Sequence, residues 1–117
     1  MIVKALTPKN FNKQTLKVNH KDLKGKKGMV VCIASWCGYC KQFMPLYKDI
    51  SSTLGKSFPM FYLDCVKYSE FAQKDLKVKG FPTIFFIGEN TKPRQYLGPR
   101  TEEALLSSII NQTRTNT

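Results

Sequence analysis

At 117 residues with 42% hydrophobic side chains, the chain is long enough for one domain around a single core and too apolar for a disordered segment. No apolar run approaches the roughly 18 residues of a membrane-spanning helix, and four cysteines are few for a disulfide-stapled scaffold of this length. The net charge is +11, with eight lysines before Gly28 against one acid there, Asp22; such a face suits acidic or anionic partners, while its lack of Arg forks and interleaved aromatics disfavours nucleic acid.

In chain order, Ile2 to Leu6 reads as a short strand. Thr7 and Pro8 then cap and open a helical turn or two through Phe11. The stretch QTLKV, residues 14–18, has the pattern of an edge strand whose lysine discourages edge-to-edge pairing. A polar loop bounded by glycine follows. Met29 to Ala34 is a continuous, largely β-branched apolar run, the mark of a strand buried on both faces. Phe43, Leu46, Tyr47, Ile50 and Leu54 then recur at three- and four-residue steps and predict a helix. Pro45 removes a backbone donor inside it and predicts a kink near Lys41 or Gln42, and Gly55 ends it. FPMFYLD, residues 58–64, reads as a second buried strand, and Ser69 to Leu76 as a short helix. TIFFIG and RQYLG are two strands joined by the turn residues ENTKP, which predicts an antiparallel hairpin. Thr101 caps a last helix with Glu102 and Glu103 in its first turn and Leu105, Leu106, Ile109 and Ile110 on its apolar face. Buried central strands alternating with helices predict an α/β fold, a mixed sheet covered by helices on both faces. The domain is expected over residues 1–112, with 113–117 as a flexible tail.

The stretch ASWCGYC places Cys37 and Cys40 where a buried strand gives way to a helix. The first turn of a helix has unsatisfied N–H groups and a partial positive charge, so a thiolate there is stabilised and attacks disulfides at neutral pH. A second cysteine three residues on lies one turn away, within reach to release a mixed disulfide. Gly38 lets a substrate backbone approach, and Trp36 offers an apolar platform beside the sulfur. A structural zinc site would need four ligands, whereas the chain offers one close pair with Cys32, Cys65 and His20 far apart in sequence. Haem attachment needs His after the second cysteine, where Lys41 stands. Two inert buried cysteines are the remaining alternative. Further on, in VKGFPTIFF, Pro82 cannot donate a ladder bond and so belongs at the start of its strand, a position where cis peptide bonds occur.

WCGYC followed some forty residues later by GFPT resembles the thioredoxin superfamily, and within it a catalytic domain of protein disulfide isomerase. The likeness runs through LTPKNF, CKQFMPLYKDI, LDC, VKGFPTIFF and YLGPRTEEAL. It implies a thioredoxin fold and thiol–disulfide exchange with protein substrates, without a metal or organic cofactor. Cys37 would be the exposed nucleophile and Cys40 the buried resolving thiol. Pro82 would be cis and face the pair, and the Phe81 backbone would offer strand-like bonds to an extended substrate. Trp36, Gly38 and Tyr39 would shape the site, and Arg100 would help to deprotonate the second cysteine.

Three departures from that pattern bear on mechanism. The buried acid usual six residues before the nucleophile is replaced by Val31, and its lysine partner by Tyr62. Both charges are missing together, so neither leaves an unpaired partner, and slower resolution of mixed disulfides is expected. The dipeptide between the cysteines is Gly-Tyr rather than Gly-Pro or Gly-His, so Tyr39 brings no positive charge to the thiolate. A potential between those of thioredoxins and isomerases is expected, nearer the reducing end. Cys32 and Cys65 are expected to pack as small hydrophobes, with a regulatory disulfide or a dimer link through Cys65 as the alternative. The competing functional reading is a redox-quiet module that binds through its basic face. With no signal peptide or retention signal legible, a soluble cytoplasmic or virion-packaged location is expected.

Overall fold

A computed structural model describes residues 3–114 of the chain. Strands β1 (Lys4–Leu6), β2 (Lys27–Ile33), β3 (Met60–Asp64), β4 (Thr83–Gly88) and β5 (Arg94–Tyr96) form a single sheet in the order β1-β3-β2-β4-β5. β3 runs parallel to both β1 and β2, whereas β4 is antiparallel to β2 and to β5. The sheet is therefore mixed, as the alternation of strands and helices predicts.

Side chains alternate across β2 and divide the core in two. Met29 and Val31 face a compartment closed by α1 (Gly38–Leu54) and α2 (Glu102–Arg114), through Phe43, Tyr47, Ile50, Leu105 and Ile109. Val30 and Cys32 face the other compartment, which contains Leu6, Phe61, Leu63, Cys65, Ala72 and Phe85 and is roofed by short helical turns. Tyr47 is fully buried, and its hydroxyl donates to the Phe61 carbonyl at 2.6 Å, which ties α1 to β3 and satisfies the polar tip. Gly28 admits the chain between β2 and the start of β3, since a Cβ there would collide with the Pro59 carbonyl oxygen.

Several elements differ from the sequence reading. The opening turn is one 3₁₀ turn over Pro8–Asn10, held by a reciprocal capping pair between Thr7 and Asn10. QTLKV is not a strand. The Asn12 side chain accepts from the Gln14 and Thr15 amides, at 2.8 and 2.9 Å, and this side-chain turn competes successfully with extended pairing. Leu16 consequently takes φ of +63°, and only Val18 keeps a bridge, to Phe11. The 69–76 helix is a short wide turn in which the Leu76 amide reaches back five residues to the Phe71 carbonyl at 3.1 Å. α1 continues past Pro45 and, as the sequence reading expects, stops at Gly55, whose φ of +60° suits glycine. α2 buries Leu105 and Ile109 but leaves Ile110 exposed, because that residue lies off the edge of the stripe facing the sheet. The helix continues to Arg114, past residue 112; Ile2 and residues 115–117 lie outside the described residues.

Candidate active site

β2 ends at Ile33, and four residues later Cys37 becomes the N-cap of α1. The Cys37 backbone is extended, and its amide donates to the Ala34 carbonyl at 3.1 Å, so the turn itself sets the sulfur over the helix end. Cys37 Sγ accepts the Cys40 N–H at 3.2 Å. It also donates to the Phe81 carbonyl oxygen at 3.5 Å, and the Phe81–Pro82 peptide bond is cis. β2, α1 and the loop before β4 thus converge on one sulfur. On deprotonation the bond to Phe81 is lost, whereas the N–H groups of the helix end remain to hold the thiolate.

The electrostatics separate the two thiols. For Cys37, burial raises the pKa, but the Cys40 thiol, the Cys40 and Tyr39 amides and the Arg100 charge outweigh it and bring it below the ordinary thiol value. Cys40 is pushed up to about 11, chiefly by burial and then by its hydrogen bond to Cys37. Cys37 is thus the more readily ionised of the two thiols, and Cys40 stays protonated at neutral pH.

Cys37 is less open than the expected exposed nucleophile: it is 6% exposed against 3% for Cys40. Its sulfur folds back over the helix end and is covered from the Phe81 side. The exposed apolar surface belongs to its neighbours instead. Trp36 is 70% exposed and stands edge-on to Phe81, with ring centroids 5.7 Å apart, and Tyr39 is similarly open. Gly38 opens α1 with free space where a Cβ would lie. Arg100 precedes α2 between two shallow grooves, one with Tyr39 and Gln42, the other with Pro82 and Leu97. Its charge acts on Cys37 in this arrangement.

Sequence reasoning passed over Leu97. It is the most exposed large hydrophobic among the described residues, at 83%, and stands on the rim of the groove that contains Pro82. The available signal is an apolar residue at the end of RQYLG, directly before Gly98-Pro99. Val31 and Tyr62, where the resemblance expects an acid and a lysine, are direct partners in the β2–β3 register, and Val31 is wholly buried. The two absences therefore belong to one interaction. Among the described residues, no cluster of His, Cys, Asp and Glu is arranged to hold a metal ion.

Comparison with known proteins agrees with this architecture. The Trx4 domain of ERdj5 superposes with a TM-score of 0.77 over 97% of both chains at 20% identity, which shows a shared fold. The first thioredoxin domain of mouse protein disulfide-isomerase A4 gives 0.67, with 29% identity, over 79% of this chain and 66% of that one. The protein disulfide-isomerase tigA of Aspergillus niger is 33% identical over 92% of this chain and 29% of its own length. Protein disulfide-isomerase A6 of Mesocricetus auratus is 32% identical over 93% and 24%. The chain thus spans 24–29% of the length of these curated relatives. The family model described as Thioredoxin matches residues 2–111, nearly the whole chain, which belongs to the thioredoxin family.

Proposed function

We propose that the chain exchanges disulfides with protein substrates through the Cys37–Cys40 pair. The observation that carries this reading is the seat of Cys37 Sγ, which accepts the Cys40 amide at the start of α1 beside the Phe81 carbonyl. In the reducing direction, the Cys37 thiolate attacks one sulfur of a substrate disulfide and the other sulfur leaves with the bonding electrons. Cys40 then loses its proton and attacks Cys37 Sγ; the substrate's second thiol departs, and the Cys37–Cys40 disulfide remains. An extended substrate segment would lie along Phe81 and Pro82, with Trp36 and Leu97 against its apolar side chains. Neither half-step calls for a metal or organic cofactor.

Direction follows from potential. Tyr39 puts no cation beside the thiolate, which favours a reductant over an oxidase or isomerase. Acidic segments would be preferred partners, given the net charge of +11. The test is a titration in glutathione buffers followed by Trp36 fluorescence. A midpoint near about −270 mV supports a reductant, and one near about −180 mV supports an oxidase or isomerase. Absence of any reversible transition would overturn the exchange reading and leave a binding module.

A further inference from the structure

The loop between β5 and α2 brings two unlike side chains to the rim of the site. Its course is fixed by Tyr96, the last residue of β5. The Tyr96 hydroxyl donates to the Pro99 carbonyl, and its ring stands edge-on to Phe86, with centroids 6.0 Å apart. Gly98 lies against that ring, and a Cβ there would sit 2.6 Å from the Tyr96 hydroxyl oxygen. Beyond the loop the Thr101 hydroxyl accepts the Ala104 amide at 3.2 Å and starts α2. Leu97 and Arg100 remain exposed on this pinned segment. Among the described residues Arg100 forms no ion pair, although Glu102 and Glu103 follow it closely in sequence. It borders two shallow grooves, one past Tyr39 and Gln42, the other from Pro82 past Gln95 to Leu97, and among the described residues it is the only charged group lining either. They enclose about 250 and about 160 Å³, room for a side chain and below the roughly 300 Å³ at which small-molecule pockets begin. The second groove starts beside the sulfur, because Pro82 follows Phe81, whose carbonyl oxygen lies 3.5 Å from Cys37 Sγ.

We propose that Arg100 is a specificity-determining residue, whose guanidinium pairs with an acidic side chain flanking the reacting half-cystine of a protein substrate. The inference rests on the reading of Cys37 and Cys40 as the exchange pair, and it names the local sequence that pair prefers. A segment extended along Phe81 and Pro82 sends successive side chains to alternate sides. Those turned toward β5 enter a groove rimmed by apolar Leu97 and cationic Arg100. A carboxylate is the complement of that rim: guanidinium has donors only, in a planar fork that matches two carboxylate oxygens. With no internal ion pair to break, Arg100 exchanges only water for the substrate, and the pinned loop lowers the ordering cost of the contact. The overall charge of +11 attracts acidic segments at long range whatever their residue order. Arg100 adds a dependence on where the acid stands.

The experiment compares isomeric peptide disulfides of identical composition and net charge. Each contains one half-cystine and one glutamate, placed one, two or three residues before or after it among neutral residues. Initial rates of reduction by the chain are measured at low salt, and each is divided by the rate with dithiothreitol, which removes the peptide's own reactivity. The expected result is a preference of about three- to fivefold for one position over the mean of the others, the size of an exposed ion pair, shrinking as salt is added. Arg100→Gln should abolish the preference. Lys9→Gln, which removes a charge near Glu89 and Asn90 at the opposite end of β4, should leave it intact. Arg100 also acts on Cys37 itself, but equally for every isomer, so the ratio of rates isolates the recognition. Equal rates for all isomers, or a preference that survives Arg100→Gln, would overturn the inference and leave the exchange reading standing. No reduction of any peptide would overturn both.

Discussion

On the proposed exchange, the raised pKa of Cys40 should make the second half-step slow and pH-dependent. At about 11, roughly one Cys40 in 10,000 is thiolate at pH 7, against about 3% of a thiol near 8.5. That is about a 300-fold deficit. A more basic thiolate is also the better nucleophile, and a Brønsted slope of about 0.4–0.5 over this gap returns about tenfold. The net expectation is resolution about thirtyfold slower than by an unperturbed thiol, accelerating about tenfold per pH unit between pH 7 and 10. Of the causes of that value, burial, the largest, persists once Cys37 is tied up in the mixed disulfide while the hydrogen bond to Cys37 is lost, so thirtyfold is an upper bound. The assay mixes reduced protein with a peptide disulfide, quenches in acid over a time series and measures the mixed disulfide on non-reducing gels; Cys40→Ser sets the ceiling of trapped complex. A decay rate that stays flat from pH 7 to 9 would refute the reasoning.

Further expectations follow from the same site. Alkylation of Cys37 should reach its plateau at a lower pH than an ordinary thiol, because its pKa is depressed. Arg100→Gln removes a favourable charge and should move that plateau upward, read by iodoacetamide rates with Cys40 replaced by Ser. Val31→Glu places a carboxylate in a fully buried position opposite Tyr62 and should cost about 3 kcal/mol in urea unfolding. Adding Tyr62→Lys should recover part of that loss, and an additive pair would refute the register argument. Gly28→Ala should destabilise by about 1–3 kcal/mol, since its methyl meets the Pro59 carbonyl oxygen; an unchanged urea midpoint would show that the β2–β3 junction yields freely.

The parts of the fold legible in the sequence are those with dense local patterns. The apolar run of β2, the three- and four-residue steps of α1 and the turn between β4 and β5 each declare themselves within a dozen residues. QTLKV misleads because alternation along five residues cannot report that Asn12 has already captured two amides. At the site, the juxtaposition of Cys37 and Cys40 was legible from their three-residue spacing at a strand-to-helix junction. That Cys32 and Cys65 share one compartment was not, because it depends on the β2–β3 register across thirty residues of chain. The exposure of Leu97 depends on where the hairpin ends against Arg100, which no local pattern encodes.

The division of the core by β2 has a practical corollary. Val31 and Cys32 are adjacent in sequence, yet they face opposite compartments. A designer therefore has two dials on one strand, one for each side of the sheet. Substitutions at 31 act on the helix side, and substitutions at 32 act on the opposite side. The two still meet at Tyr47, whose ionisation both positions influence, so a double substitution is expected to show coupling rather than simple additivity.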